Sequence, residues 1–310
     1  MKHNDRPATF GGRRFQYRDV NWKSDLGSLW QNWCIVSDGA PLKEVLLAQP
    51  GDVYSDIHDI DAKLLLEKPS FEKLRSEYLQ LAETYEKLGI TVHRCEHPQA
   101  TPNWIFQRDL YNSTPNGIVL GRPASRERRG EERLMQEILA QKHAPIIGSI
   151  HKDALFEGAD LLWITPKKAL FGIGNRSNAK ALEQLQHLYP ETEFFSLTLP
   201  EHIQHLLGLV NFIAPYKVGI WTSQCSAKNR SILERAGLEI VEILAEKEIR
   251  NQRSFNWVCI APNRLLLPKD APKTISHLRT QGIEIATAAI AAYRQCGGGL
   301  GCVTGILNRR

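Results

Sequence analysis

Residues 160–171 read DLLWITPKKALF, an apolar strand, a proline with turn residues, and a second apolar strand. The same plan returns as RDLYNSTPNGIVL at 108–120, LVNFIAPYKVGI at 209–220 and NWVCIAPNRLLL at 256–267. Proline presets φ for the first corner of a turn, so each stretch reads as a β-hairpin. The prolines, at 115, 166, 215 and 262, stand 51, 49 and 47 residues apart, and a period of that size marks a repeated supersecondary unit. Amphipathic spacing predicts helices at 71–88, 127–141, 178–188, 226–236 and 272–281. A helix after each hairpin makes the unit ββαβ.

A fifth unit is expected from the two ends of the chain: KEVLLAQP at 43–50 with the helix at 71–88, closed by CVTGIL at 302–307. Five such units either stack or close. Stacked arrays carry polar end caps, and neither end does here, so the expected fold is α/β, a five-bladed α/β propeller of ββαβ units in a pseudo-fivefold ring. Residues 31–310 then form a single domain and residues 1–30 an N-terminal extension.

With 42% apolar and 24% charged residues, and no long apolar run, the composition is that of an ordinary globular protein and not of a membrane protein. The first thirty residues lack the apolar core of a secretory signal, and a cytoplasmic location is expected. The net charge of +5 is scattered except at ASRERRGEER, 124–133, where acids at helical spacing read as a solvated face. Nucleic acid is therefore not an expected partner. Cysteines 34, 95, 225, 259, 296 and 302 match no zinc pattern; neither a metal, a cofactor nor a disulfide is expected.

Offsets from the prolines pick out candidate site residues. Asp109 precedes Pro115 by six residues and Asp160 precedes Pro166 by six, while Glu157 and His205 lie nine and ten residues before their prolines. Ring closure carries these to a common axis, and the C-terminal strand brings Cys302 there. The fourth repeat offers only Asn256 at the matching place. In CGGGLGCVT, 296–304, the glycines read either as a flexible turn or as a close approach to a nucleophile, with Cys296 a bystander. A thiolate needs a base or positive charge nearby, which His205 can serve. Converging carboxylates suit a planar guanidinium, whose forked donors they match.

Five segments in order resemble the pentein superfamily of guanidine-modifying enzymes, which includes arginine deiminases, dimethylarginine dimethylaminohydrolases and amidinotransferases. PNWIFQRD at 102–109 is similar to the family's PNxxFxRD and FEGAD at 156–160 to its EGGD. IGNRSN at 173–178, HLLG at 205–208 and GGGLGC at 297–302 also have counterparts, as does the opening strand WCIVSDGAPLKEVLLAQPG at 33–51. The resemblance implies Cys302 as nucleophile, His205 as acid/base, and Asp109 and Glu157 as the guanidinium clamp. Asn103 and Phe106 would line the pocket, Arg176 and either Arg126 or Arg128 would hold a substrate α-carboxylate, and Asp160 would be structural.

Two departures stand out. Leu207 occupies the position of an aspartate in deiminases and amidinotransferases, and Gly301 precedes the nucleophile where many relatives carry Arg or His. Ala159 replaces one glycine of EGGD. The expectation is a cofactor-free hydrolase of arginine or a similar small guanidino compound, working through a covalent thiouronium. Amidino transfer to an amine is the enzymatic alternative, and a non-catalytic binding module, as in ribosome-associated factors of the same ring, is the alternative of another class. The oligomeric state, including a homo-oligomer, is left open.

Overall fold

A computed structural model describes residues 6–18, 21–55 and 57–310. Fifteen strands form five three-stranded sheets among the described residues. The first joins β1 (Leu42–Ala48) to β2 (Thr91–Cys95) and to the C-terminal β15 (Gly305–Arg309). The second is β3 (Tyr111–Thr114), β4 (Gly117–Leu120) and β5 (Ile146–Ser149); the third is β6 (Leu161–Thr165), β7 (Lys168–Ile173) and β8 (Glu193–Thr198). The fourth is β9 (Val210–Ala214), β10 (Lys217–Trp221) and β11 (Glu239–Ile243), and the fifth is β12 (Val258–Ala261), β13 (Arg264–Pro268) and β14 (Glu284–Ala288).

Each sheet has one plan. Its middle strand pairs antiparallel on one side and parallel on the other. Parallel neighbours need a crossover, supplied by the helices Phe71–Lys87, Glu131–Gln141, Ala179–Leu188, Ala227–Arg235 and Pro272–Thr280. The hairpin turns are shorter than the sequence suggests, with the proline and one further residue between strands. Tyr216 and Asn263, each after its proline, take φ of 61° and 59°, the left-handed second corner of a type II turn.

Local signals account for the helices. In Phe71–Lys87, Ser70 caps the N-terminus by accepting from Lys73 N, and Leu74, Tyr78, Leu81, Ala82 and Tyr85 fall on one buried face. Gly89, at φ 80°, follows its end. Burial of each large apolar side chain on that face contributes about 1.5–3 kcal/mol.

Neighbouring sheets are tied by side chains reaching from one to the next. Ser113 Oγ donates to Ile306 O at 2.6 Å, and Asn112 Nδ2 donates to Gly158 O and Leu161 O. Asp160 Oδ1 accepts from Leu206 N at 2.7 Å, Asn211 Nδ2 donates to Phe255 O and Trp257 O, and Arg309 Nη1 donates to Cys259 O at 2.7 Å. Within the N-terminal 30 residues, Trp22 Nε1 donates to Asn116 O at the turn of the second sheet, while residues 1–5, 19 and 20 lie outside the described set. No helix among the described residues is long and apolar enough to cross a membrane.

Candidate active site

Each sheet presents a polar residue just before its outer antiparallel strand. Asp109 sits on the helical turn Gln107–Leu110 ahead of β3, Glu157 before the 3-10 turn Gly158–Asp160 that leads into β6, and His205 before the 3-10 turn Leu206–Gly208 that leads into β9. Asn256 precedes β12 and Cys302 lies on the helical turn Leu300–Val303 ahead of β15. Asp109, His205 and Cys302 line one cavity of about 270 Å³, together with Asn103, Phe106, Arg128 and Arg176.

The charged groups form one buried network. His205 Nε2 lies 2.6 Å from Glu157 Oε2 and 3.8 Å from Asp109 Oδ1. Arg128 Nη1 donates to Asp109 Oδ2 at 2.6 Å, and its Nε to Glu131 Oε2 at 2.8 Å. Arg176 Nη1 reaches Glu157 Oε1 at 3.3 Å. Burial opposes charge on His205, but Asp109, Glu157 and Asp160 outweigh it and raise its pKa to about 9. Burial likewise opposes the Glu157 carboxylate; His205, Arg128 and Arg176 overcome it and lower its pKa to about 2. Imidazolium and carboxylate thus persist together at neutral pH.

Asp109 Oδ1 is buried with no hydrogen-bond partner among the described residues, although Oδ2 is taken by Arg128. A buried acceptor without a partner, on a residue that lines a cavity, suits a donor-rich cation. Asp109, Glu157 and His205 also offer three ligand atoms within 4.8 Å of one another. Arg128 and His205 already occupy those carboxylates as cations, so the arrangement suits proton transfer and guanidinium binding better than a divalent ion.

Cys302 is held by Asn256, whose Oδ1 accepts from Cys302 N at 3.1 Å and lies 3.4 Å from Sγ. Burial, with Asp109 adding to it, pushes the thiol up to about 11, so Cys302 rests as a neutral thiol. Arg253 acts in the other direction and lines the same cavity. Cys296 is fully buried, and burial pushes its thiol up to about 12.

The glycine run is crowded rather than slack. Gly297 needs its φ of 96°. A Cβ at Gly298 would fall 2.2 Å from Phe106 Cε1, one at Gly299 2.7 Å from Asn256 Oδ1, and one at Gly301 2.8 Å from Leu207 Cδ2. Leu207 thus fills the room that a side chain at 301 would need, and the two departures are one packing arrangement.

Other expected residues are placed as follows. Asp160 accepts from Leu206 N and from Ser177 Oγ, holding the backbone beside His205, and burial raises its pKa to about 6. Asn103 Nδ2 donates to Lys63 O, tying down the segment whose Leu64, Leu65 and Leu66 cover the cavity. Arg126 is exposed and lines none of the cavities at Cys302; the arginine brought inside is Arg128, two residues on. Sequence reasoning missed the contact of Asn256 with Cys302, the covering leucines, Gln204 and Arg253. Only Asn256 left a signal, its repeat offset.

The arginine deiminase family model matches residues 65–203. The N(G),N(G)-dimethylarginine dimethylaminohydrolase of Pseudomonas aeruginosa is 21% identical over 249 residues, covering 77% of this chain and 90% of that protein. Arginine deiminase of Mycoplasma capricolum is 23% identical over 246 residues, covering 66% of this chain but only 60% of that longer protein. Among solved structures, the product-bound N-terminal domain of ArgZ, an arginine dihydrolase of the cyanobacterial ornithine-ammonia cycle, superimposes with TM-score 0.74 at 18% identity, covering 86% of this chain and 97% of that one. Five sheets of one plan and this superposition show that the chain shares its fold with the N-terminal domain of ArgZ.

Proposed function

We propose that the protein is a cysteine-dependent hydrolase of an arginine-like guanidino compound, built as a single domain of residues 31–310 in which five ββαβ blades close into a propeller. The cycle of side-chain ties from each sheet to the next, with Arg309 linking the first sheet to the fifth, supports closure. The observation that carries the function is the unpartnered Oδ1 of Asp109, a residue lining the cavity that Cys302 and His205 also line. A guanidinium donating to that oxygen adds positive charge near the thiol to that of Arg253 and favours the thiolate.

The thiol proton passes to solvent, since His205 already carries one, and Sγ of Cys302 attacks the central carbon. His205, charged and aligned by Glu157 at 2.6 Å, gives its proton to the departing nitrogen, and an amine or ammonia leaves. Neutral His205 next takes a proton from water, which attacks the thiouronium carbon; the C–S bond breaks and a ureido product leaves. Asn256 keeps the nucleophile in line, Asp160 fixes the turn after His205, Asn103 and Phe106 shape the pocket, and Arg176 receives an α-carboxylate. Leu207 replaces a carboxylate, leaving that wall apolar. Six unpaired cysteines fit a reducing cytoplasm.

Amidino transfer is the second reading, because two cavities meet at Cys302 and an amine in one of them could take the place of water. The test is mass-spectrometric: the protein is incubated with arginine, methylated arginines and agmatine, with and without added amines. Ureido product without added amine is the expected result, with a covalent adduct on Cys302 that Cys302→Ala loses. Turnover only with an acceptor amine would replace hydrolysis by transfer, and full turnover by Cys302→Ala would refute the catalytic assignment.

A further inference from the structure

Cys302 and His205 do not stand at the end of a pocket. A second cavity of about 210 Å³ adjoins them and shares Gln204, His205, Arg253, Gly297 and Cys302 with the first. Their chemistry differs. The first is lined by Asp61 and Asp109 and by the arginines 128 and 176. The second has no acid in its lining; His202, Gln204, Arg253 and Asn256 form its polar side, and Ile203, Leu207, Trp221, Ile249 and Phe255 form an apolar wall, all five at most 7% exposed.

That wall is held rigidly. Trp221 Nε1 donates to Glu246 Oε1 at 3.1 Å, and the Arg250 guanidinium lies 4.9 Å over the indole ring. The Phe255 ring packs on Trp257 with centroids 4.8 Å apart. Leu207 is wedged against Gly301, so the wall directly beside the nucleophile is methyl groups rather than a charge. Buried apolar side chains facing a preformed cavity are the usual lining of a small-molecule subsite.

Resting on the proposed hydrolysis, we propose that the second cavity is the subsite for a substituent on the departing nitrogen, and that the substrate class is guanidines substituted on two nitrogens, the second substituent being an uncharged apolar group larger than methyl. The cationic head and amino-acid arm lie in the acidic cavity, the reacting carbon lies at Cys302 between the two, and the departing arm lies in the apolar one. Attack by Sγ breaks the C–N bond to that arm. The His205 proton goes to the departing nitrogen, which leaves as a primary amine, and hydrolysis of the thiouronium leaves a ureido acid and regenerates the thiol. The net reaction is R–NH–C(NH2+)–NH–R′ plus water giving R–NH–CO–NH2 plus R′–NH3+. A cationic substituent is disfavoured by Arg253 and by the lack of any acid in the lining.

The experiment compares the full chain on L-arginine and its Nω-methyl, Nω-propyl and Nω-(3-aminopropyl) derivatives, reading citrulline and the released amine by mass. Each methylene that enters the apolar cavity is expected to raise kcat/KM about fourfold, so propyl exceeds methyl and the aminopropyl compound falls behind propyl. Ile249→Trp, which fills the cavity, is expected to reduce the propyl-to-arginine ratio at least tenfold, with thermal unfolding checking that the variant is folded; Ile203→Trp repeats the test from another side. Turnover of arginine with the propyl compound rejected, or a ratio unmoved in folded variants, overturns the subsite and leaves the hydrolase reading intact. No ureido product and no Cys302 adduct from any of the four compounds overturns the hydrolase reading itself.

Discussion

A single methyl group at position 301 probes how Cys302 is seated. An ideal Cβ there lies 2.8 Å from Leu207 Cδ2 and 3.1 Å from Asn256 Oδ1, well inside the separation of about 3.5–4.0 Å at which carbon atoms settle. Gly301 N donates to Asn256 O at 3.0 Å, and Asn256 Oδ1 accepts from Cys302 N, so the strain falls on the residue that holds Cys302. Overpacking of this kind costs about 1–3 kcal/mol, offset by roughly 0.5–1 kcal/mol because alanine suits a helical turn better than glycine. Gly301→Ala is therefore expected to lose about 1–2 kcal/mol. Leu207→Ala alone removes buried methyls and should lose about 2 kcal/mol, near the low end for such changes since its site borders a cavity. In the double variant the closer of the two contacts is gone and only that with Asn256 Oδ1 remains, so the two effects should fall short of additivity by about 1 kcal/mol. Urea unfolding of the four proteins measures this, and the iodoacetamide rate at Cys302, followed by mass, reports whether the thiol has moved. Additivity within about 0.3 kcal/mol, or a Gly301→Ala protein as stable as the parent, would refute the packing argument.

Three further outcomes are expected. On the proposed mechanism, with the His205 acid raised to about 9 and the Cys302 thiol to about 11, kcat/KM should rise through neutral pH and level off near pH 9; levelling off near 6.5 contradicts this. Stability has the opposite sign, since a raised histidine pKa stabilises fully below the unfolded value of about 6.5 and ceases to do so as the pH passes 9. Arg128→Ala strands Asp109 and Glu131 as buried carboxylates and should cost about 3–5 kcal/mol in urea unfolding, with a loss under about 1 kcal/mol counting against the network. Asp109→Asn removes a charge that holds the Cys302 thiol up, so alkylation at pH 8 should quicken while turnover slows; slower alkylation would show that Asp109 does not govern the thiol.

What the chain discloses by itself is what depends on near neighbours. Four prolines at a regular interval announce hairpins because turn chemistry is local, and the helix caps Ser70, Asn178 and Ser226 are local as well. The offsets that single out Asp109, Glu157 and His205 carry over into space because each repeat folds alike. Contacts between repeats are another matter. The crowding of Gly298 by Phe106 spans almost two hundred residues, and Asn256 meets Cys302 across 46; no periodicity encodes such encounters. Arg126 and Arg128 are interchangeable in a string of charges, and only the fold sends one outward and the other into the acids. Leu207 and Gly301 look like two independent substitutions until their atoms are seen to compete for one volume.

The pairing of Arg128 with Asp109 and Glu131 bears on what the empty cavity has left to give a ligand. Two bare carboxylates would attract any cation, sodium and lysine side chains included. Here the tethered guanidinium of Arg128 has already claimed most of that attraction. What remains without a partner is one buried oxygen of Asp109, and on the proposed reading a newcomer is judged less by its charge than by whether its donors can reach that oxygen while its carbon faces sulfur.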